Sequence, residues 1–506
     1  MEEHNTAVAA ISARVRIFAE KQEKFRVYHG STNSTRKSER RADNTVDTSG
    51  LNHVLQVDDA RKTALVEPNV PMDALVAATF APGKQKERRR RRLPLVVMEF
   101  PNITVGGGFS GSSGESSSFR YGPFDSTVNW VEIVLPSGDV VRAAQTGEHA
   151  DLFWGAASGF GTLGVVTLLE VQLRDAADYV ELTYQPFASL VEASAFMEKQ
   201  VREPAVDFID AIAFSPKSTI VCLGRLVNEI PKTTSARPSR FTRRSDPWFY
   251  LHVEQRTRNA REPTVDYVPL VDYLFRYDRG GFWVAKYAYR YFFTPFNRIT
   301  RFVLDRYMHT KVMYHALHQS RLADDYIVQD VGVPFDQVGA LHQWLDDELP
   351  TYPLWLCPLR VRRDGPPGET RHGLHAEFAD PSTPEYLMNF GVWRPGSLDH
   401  GAFVEQNRGL ERKVRELGGK KWLYAHAYYT EDEFWRSYDR ASYDALRAKY
   451  GATYLPSVYD KVKVDDAKGK EEPKPMGGMR PFQGLYGVYK AWRGGEYLMP
   501  SKKPSS

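Results

Sequence analysis

The chain has little cysteine. Two thiols in 506 residues, Cys222 and Cys357, cannot build a disulfide framework and fit a reducing compartment. It lacks cysteine and histidine at metal-ligand spacing, so no metal is expected. It also lacks a long apolar run. A transmembrane helix needs about 20 mostly apolar residues, and the weakly apolar stretch 7–18 is broken by Arg14 and Arg16. That stretch has no signal-peptide h-region or cleavage site and reads as a capping helix within residues 1–24. Charge of one sign is scarce once a single segment is set aside. The net charge is +4, yet residues 84–92 carry seven bases and one acid, which leaves −2 elsewhere. The basicity belongs to a solvated loop insertion, 83–92. A nucleic-acid or anionic-lipid patch is the alternative reading of that run, and no nucleic-acid partner is expected.

What is present suits a soluble protein of more than one domain, with 42% hydrophobic and 13% aromatic residues. Residues 25–175 read as one domain, in which 25–80 alternate strands and turns. A strand at 25–28 precedes the polar turn HGSTNSTR, and 54–57 with 64–66 reads as a hairpin. Pro71 opens a helix to residue 80. A buried strand is expected at 95–98, a hairpin at 128–143, a helix at 151–157 and a strand at 165–173. Residues 176–419 read as a second domain with helices at 190–202, 300–318 and 335–348. Its strands are expected at 209–214, 219–224, 327–331 and 385–391. The mixture is α+β, too irregular for a doubly wound sheet. Residues 461–506, rich in Lys, Gly, Pro and Glu, read as a disordered tail.

The densest motif is TVGGGFSGSSGESSSFRYG at 104–122, with six glycines and six serines in nineteen residues. A pyrophosphate needs several donors at short range. Glycines let backbone N–H groups approach without a Cβ in the way, and serine hydroxyls add donors. A helical turn opened at 116–118 would add more. A buried strand before the motif and an aromatic strand after it argue against a free linker. No GK[ST] follows, and the strand–helix context of a βαβ fingerprint is missing, so a different dinucleotide cradle is implied. SGFGTLGVV at 158–166 is a second backbone turn able to approach the same group.

Together FPNITVGGGFSGSSGESSSFRYGPF and DLFWGAASGFGTLGVV resemble the PCMH-type FAD-binding domain, also called the vanillyl-alcohol-oxidase type. The resemblance is to its delta(24)-sterol reductase branch. PWFYLHVE, YIVQDVGVP, YPLWLCPL, LYAHAYYTEDEFWRSYD and LPSVYDKV continue it in order, over roughly 25–175 and 245–462. It implies a PCMH-type domain of two α/β subdomains, a mixed α+β substrate (cap) domain, and a segment 420–460 returning to the flavin. Carried over by position, the FAD loop is Thr104, Val105, Gly106, Gly107, Gly108, Phe109, Ser110, Gly111, Ser112, Ser113, Gly114, Glu115 and Ser116. Gly161, Thr162 and Gly164 form the second turn. The FAD is noncovalent, since His29 precedes the small residues of its turn. NADPH is the implied reductant and a sterol side-chain alkene the implied substrate.

An isolated alkene accepts hydride poorly, so a general acid is needed. Alternation in LYAHAYYTEDEFW puts Tyr424, His426 and Tyr428 forward for that role, or for a strand core. Glu115 reads as a loop-organising acceptor. Residues 282–318 mix aromatics (Trp283, Tyr287, Tyr291, Phe292, Phe293, Phe296) with bases (Lys286, Arg290, Arg298, Arg301, Arg306). That mixture suits a packed helix pair or a peripheral membrane surface admitting a lipid. The membrane segment that begins relatives of this branch is not seen here. The expected location is intracellular: cytoplasmic or peripheral on the endoplasmic reticulum membrane. A flavin oxidase of alditols or aldonolactones, or a non-catalytic sterol-binding protein, remain the alternatives.

Overall fold

The first helix, Glu2–Lys21, forms around Val8, Ile11, Val15 and Phe18, which recur at helical spacing and are all buried. It starts on Glu2 and Glu3 and ends on Lys21, as the helix dipole favours. The computed structural model describes residues 1–28, 42–80, 91–232, 237–464 and 475–493. The turn HGSTNSTR with His29, and most of the basic run, lie outside the described residues. Of that run Arg92 is buried, starts the strand Arg92–Pro94 and pairs with Asp59 and Asp175.

The architecture is α+β. Arg26–Tyr28 and Thr45–Asp47 form a small parallel sheet. A six-stranded antiparallel sheet follows, in the order Val54–Asp58, Thr63–Val66, Val165–Asp175, Val128–Val134, Val140–Ala144, with Arg92–Pro94 paired to Val165–Asp175. The expected strand at 95–98 is instead three residues earlier. Val96, Val97 and Met98 are buried but sit beyond the ladder, among helices and turns.

A second, larger sheet has eight antiparallel strands. Its order is Thr264–Pro269, Tyr179–Phe187, Ser218–Val227, Phe208–Ser215, Leu354–Arg360, Tyr386–Pro395, Tyr326–Val333, Lys420–Lys421. Strand alternation gives it two different faces. Ile327, Val331, Leu356, Met388 and Phe390 pack under the helices Leu190–Gln200, Val338–Glu348 and His400–Glu416. Val328, Asp330, Trp355, Leu359, Asn389 and Trp393 face a cavity.

The helix expected over 300–318 is two helices, Arg298–Leu304 and Thr310–Ser320, separated by a 3-10 turn. Tertiary ion pairs override the periodicity: Asp305 is held by buried Arg279, and His309 by Asp278 at 2.6 Å. The expected disordered tail is corrected for 475–493, where Phe482–Arg493 is a helix packed on Thr310–Ser320. Two glycines allow this, because Gly484 and Gly487 face Tyr291 and the Ala316 carbonyl too closely for any Cβ.

Candidate active site

The motif at 104–122 folds as a short helix, Val105–Gly111, capped by Thr104, whose Oγ1 accepts from the Gly107 N–H. The first-turn N–H groups are already used. Val105 donates to the Val70 carbonyl, Gly106 to Pro68 and Gly108 to Thr104. The helix start therefore has no free first-turn N–H to offer an anion, and the turn after it is the part of the motif left to do so. Ser112 there takes a left-handed conformation (φ 59°). The expected donors at 116–118 turn inward as well: Ser116 Oγ bonds Glu99 at 2.5 Å, Ser117 Oγ bonds the Leu95 carbonyl, and the Ser118 N–H bonds the Glu115 carbonyl.

The second turn is stitched to the first. Ser158 and Phe160 N–H groups donate to the carbonyls of Phe109 and Ser110, both at 3.0 Å. Gly161 and Gly164 need positive φ (66° and 148°), which glycine alone adopts without cost. Residues near the C-terminus close the far edge. The Lys461 ammonium donates to the Phe160 carbonyl at 2.7 Å, and Tyr443 to Thr162 Oγ1 at 2.8 Å.

These turns form one end of a cavity of about 390 Å³. Of the sequence-derived loop, Thr104, Gly106, Gly107, Ser110, Gly111, Ser112, Ser113, Gly114 and Glu115 line it, with Gly161 and Gly164. Val105, Gly108, Phe109, Ser116 and Thr162 stand behind as support; Val105, Phe109 and Thr162 are buried in the core. The wall fits a dinucleotide. A Cβ at Gly111 would meet nothing within 4 Å, so this glycine opens onto space that a ligand can fill. Asn69 Oδ1 and Glu99 Oε2, both in the wall, are buried acceptors with no partner among the described residues.

The other end is apolar: Phe282, Val284, Met313, Tyr314, Leu317 and Trp393. Phe282 stacks on Tyr277 at 3.9 Å and leans on Trp393 at 4.3 Å. Between the two ends lies a polar group that the sequence reading missed. Asp330 accepts a short hydrogen bond from the Tyr424 hydroxyl and another from Asn389 Nδ2 at 3.1 Å. Trp422 Nε1 in turn donates to Asn389 at 2.8 Å. Burial raises the Asp330 carboxyl to about 6, although both hydrogen bonds oppose the rise. Glu115 is pushed well above its ordinary value, first by desolvation and then by the Glu99 charge, with Asp330 adding to the effect. Burial pushes the Tyr424 phenol up as well, helped by Asp330 and by Tyr314. Glu115, Asp330, Tyr424 and Tyr314 are thus electrostatic neighbours running from cradle to apolar end. Asp330 had one legible signal, a lone acid inside the apolar strand YIVQDVGV.

The expected strand alternation at 424–428 is not found. The segment is a turn, and among the described residues Ala427 alone makes a backbone β-bridge to another segment, at Lys463. Tyr424 lines the cavity; His426 and Tyr428 do not. The His426 carbonyl accepts from Lys421 and Gln329, and the Tyr428 ring packs edge-on against Phe403.

The two stitched glycine turns on a small antiparallel domain, opening into an aromatic cavity under a second sheet, define an FAD-binding oxidoreductase. The family of FAD binding domains matches residues 6–144. Over 425 residues the chain is 30% identical to human Delta(24)-sterol reductase, covering 81% of this chain and 76% of that protein. Over 461 residues it is 30% identical to the Delta(24)-sterol reductase of Pisum sativum, covering 85% and 77%. A similarity to Cytokinin dehydrogenase 9 of Oryza sativa, 30% over 126 residues, spans 24% of the chain. The chain belongs to the delta(24)-sterol reductase family.

Proposed function

We propose that this protein reduces the side-chain double bond of a sterol, with FAD held noncovalently and NADPH as reductant. The observation that carries the reading is the continuity of one cavity. A backbone cradle stands at one end, an aromatic apolar wall at the other, and buried acids lie between them. Bound FAD would supply hydride chemistry. The Ser112–Gly114 turn, with Gly161 and Gly164, would hold its pyrophosphate. NADPH would dock transiently at the same cavity.

The chain's own task is the proton. An alkene without a conjugated carbonyl must be protonated as hydride arrives. Asp330 and Tyr424 share a hydrogen bond at the junction of the two ends, and burial keeps the Asp330 carboxyl partly protonated near pH 6. We assign this pair as proton donor. His426 and Tyr428 then support the Tyr424 turn from behind. Glu115, whose carboxyl is raised well above its ordinary value by desolvation and by the Glu99 charge, faces the same space. Phe282, Trp355 and Trp393 exclude water. An alditol oxidase would need hydroxyl-binding groups where this cavity presents Phe282, Met313 and Leu317.

The test is an anaerobic titration of the purified flavoprotein with NADPH, followed by a sterol bearing a side-chain alkene. NADPH should bleach the flavin, and the sterol should restore its colour. A protein that takes up no flavin when refolded with FAD rules the reading out. Peroxide formation with a polyol selects the oxidase instead. Sterol binding beside a flavin that NADPH cannot reduce selects the non-catalytic form.

A further inference from the structure

The helix Phe482–Arg493 has a fixed inner face. Gln483 Nε2 donates to the Ser320 carbonyl at 2.7 Å, and the Gly484 N–H donates to the Tyr291 hydroxyl at 3.2 Å. A Cβ at Gly487 would come within 2.4 Å of the Ala316 carbonyl, so the helix can seat only with its glycines inward. Its outer face is therefore set by construction. Phe482, Leu485, Tyr489 and Trp492 recur there at steps of three and four residues, each roughly half exposed (47–55%). Phe293 is 80% exposed and follows Phe292, whose ring lies against Gly484. An apolar face of this kind on a soluble protein calls for a partner.

Charge says which partner. The segment 475–493 contains Arg480, Lys490 and Arg493 and no acid. The helix Thr310–Ser320 on which it packs adds Lys311, and residues 306–323 hold no acid, while Asp324 and Asp325 follow at once and Asp324 pairs with Arg321. In a symmetric pair of copies this face would meet itself and set cation against cation. Anionic lipid headgroups complement it, and the aromatic and leucine side chains suit the acyl boundary.

Position gives the contact a use. Met313, Tyr314 and Leu317 on the helix Thr310–Ser320 line the apolar end of the cavity. Ala316 and Ser320 on the same helix touch Phe482–Arg493. One helix separates the cavity from the exposed face. We propose that Phe482–Arg493, with Phe293 beside it, docks the protein on an anionic membrane and so brings the apolar end of the cavity to its lipid. The use, though not the surface, rests on the sterol reading above.

The full flavin-bound chain is floated with phosphatidylcholine vesicles, with and without phosphatidylserine. Binding should be at least about tenfold stronger with phosphatidylserine and should fall with salt. The double variant Leu485→Glu, Trp492→Glu should lose about tenfold or more in binding while keeping its flavin and unfolding midpoint. Lys490→Glu with Arg493→Glu should lose the phosphatidylserine preference. Val191→Glu, exposed on the helix Leu190–Gln200, should bind as wild type. Failure of the wild type to float, equal flotation of the double variant, or a dimer that the double variant splits overturns the proposal. Sterol turnover in detergent separates the two readings. Turnover without flotation removes the docking and keeps the activity; flotation without turnover removes the activity and keeps the docking.

Discussion

The two ends of the cavity solve opposite problems. The cradle end is built from absence, because its glycines keep side chains out so that backbone can approach a ligand. The apolar end is built from bulk, with Trp355 stacked on Trp393 and Phe282 tilted against both to keep water out. The difference predicts how each responds to change. At the cradle a single added carbon is a large event and its effect depends on which glycine receives it. At the apolar end a lost carbon enlarges a space that was meant to be partly empty.

The junction between the ends should give the largest effect. Asp330→Asn keeps the shape and the Tyr424 contact but removes the titrating proton, so sterol reduction should fall by about 100-fold or more, the usual weight of a general acid. Flavin reduction by NADPH should be unchanged, and stopped-flow traces of the two half-reactions separate them. The same variant sharpens the electrostatics. The folded carboxyl titrates higher than the unfolded one, so its stabilising contribution is complete below about pH 4. It is lost as pH rises through about 6. Over that window the wild type should lose up to about 3 kcal/mol relative to Asp330→Asn in denaturant titrations at successive pH values.

Two alanine substitutions probe the cradle and should diverge. At Gly106 a Cβ would lie 2.6 Å from Pro68 Cβ and 3.0 Å from its carbonyl oxygen, and backbone cannot yield. Gly106→Ala should cost about 1–3 kcal/mol in unfolding free energy and lower flavin content with it. Gly111→Ala meets nothing and should leave stability unchanged or slightly raised, yet weaken FAD by about tenfold, since its methyl enters the ligand's space. Equal FAD affinity in Gly111→Ala and wild type would remove the cradle from the argument.

The smallest effect belongs to the apolar end. Met313→Ala widens a wall that already borders open space, so the KM for sterol should rise a few-fold while kcat and flavin reduction hold. A collapse of stability there would mean that Met313 is core and not cavity wall.

The sequence was most readable where local chemistry decides structure. Glycine spacing at 104–122 marked a stretch that lines the cavity, and the hairpin at 128–143 declared itself by alternation around PSGD. It was least readable where distant groups decide. No local signal says that Arg279 and Asp278 will break the helix at 305–309, since both partners lie a full segment upstream. The average composition of 461–506 hid a helix whose packing needs only Gly484 and Gly487, residues that propensity alone scores as breakers. Tyr424 was visible as an aromatic near the site. Its partner Asp330 showed only as a lone acid in an apolar strand, and the pairing itself was hidden, because strand Tyr326–Val333 meets residue 424 only through the assembled sheet.

The stitching of Lys461 to Phe160 also bears on the order in which the molecule can be made. The cradle leaves the ribosome within the first quarter of the chain. Its closing edge, Tyr443 and Lys461, comes some three hundred residues later. Until then the cavity is open along one side, and the long-range contacts that close it are the slow kind to form. The cofactor should thus become tightly held only near the end of folding, which makes flavin retention a report on completion of the whole chain.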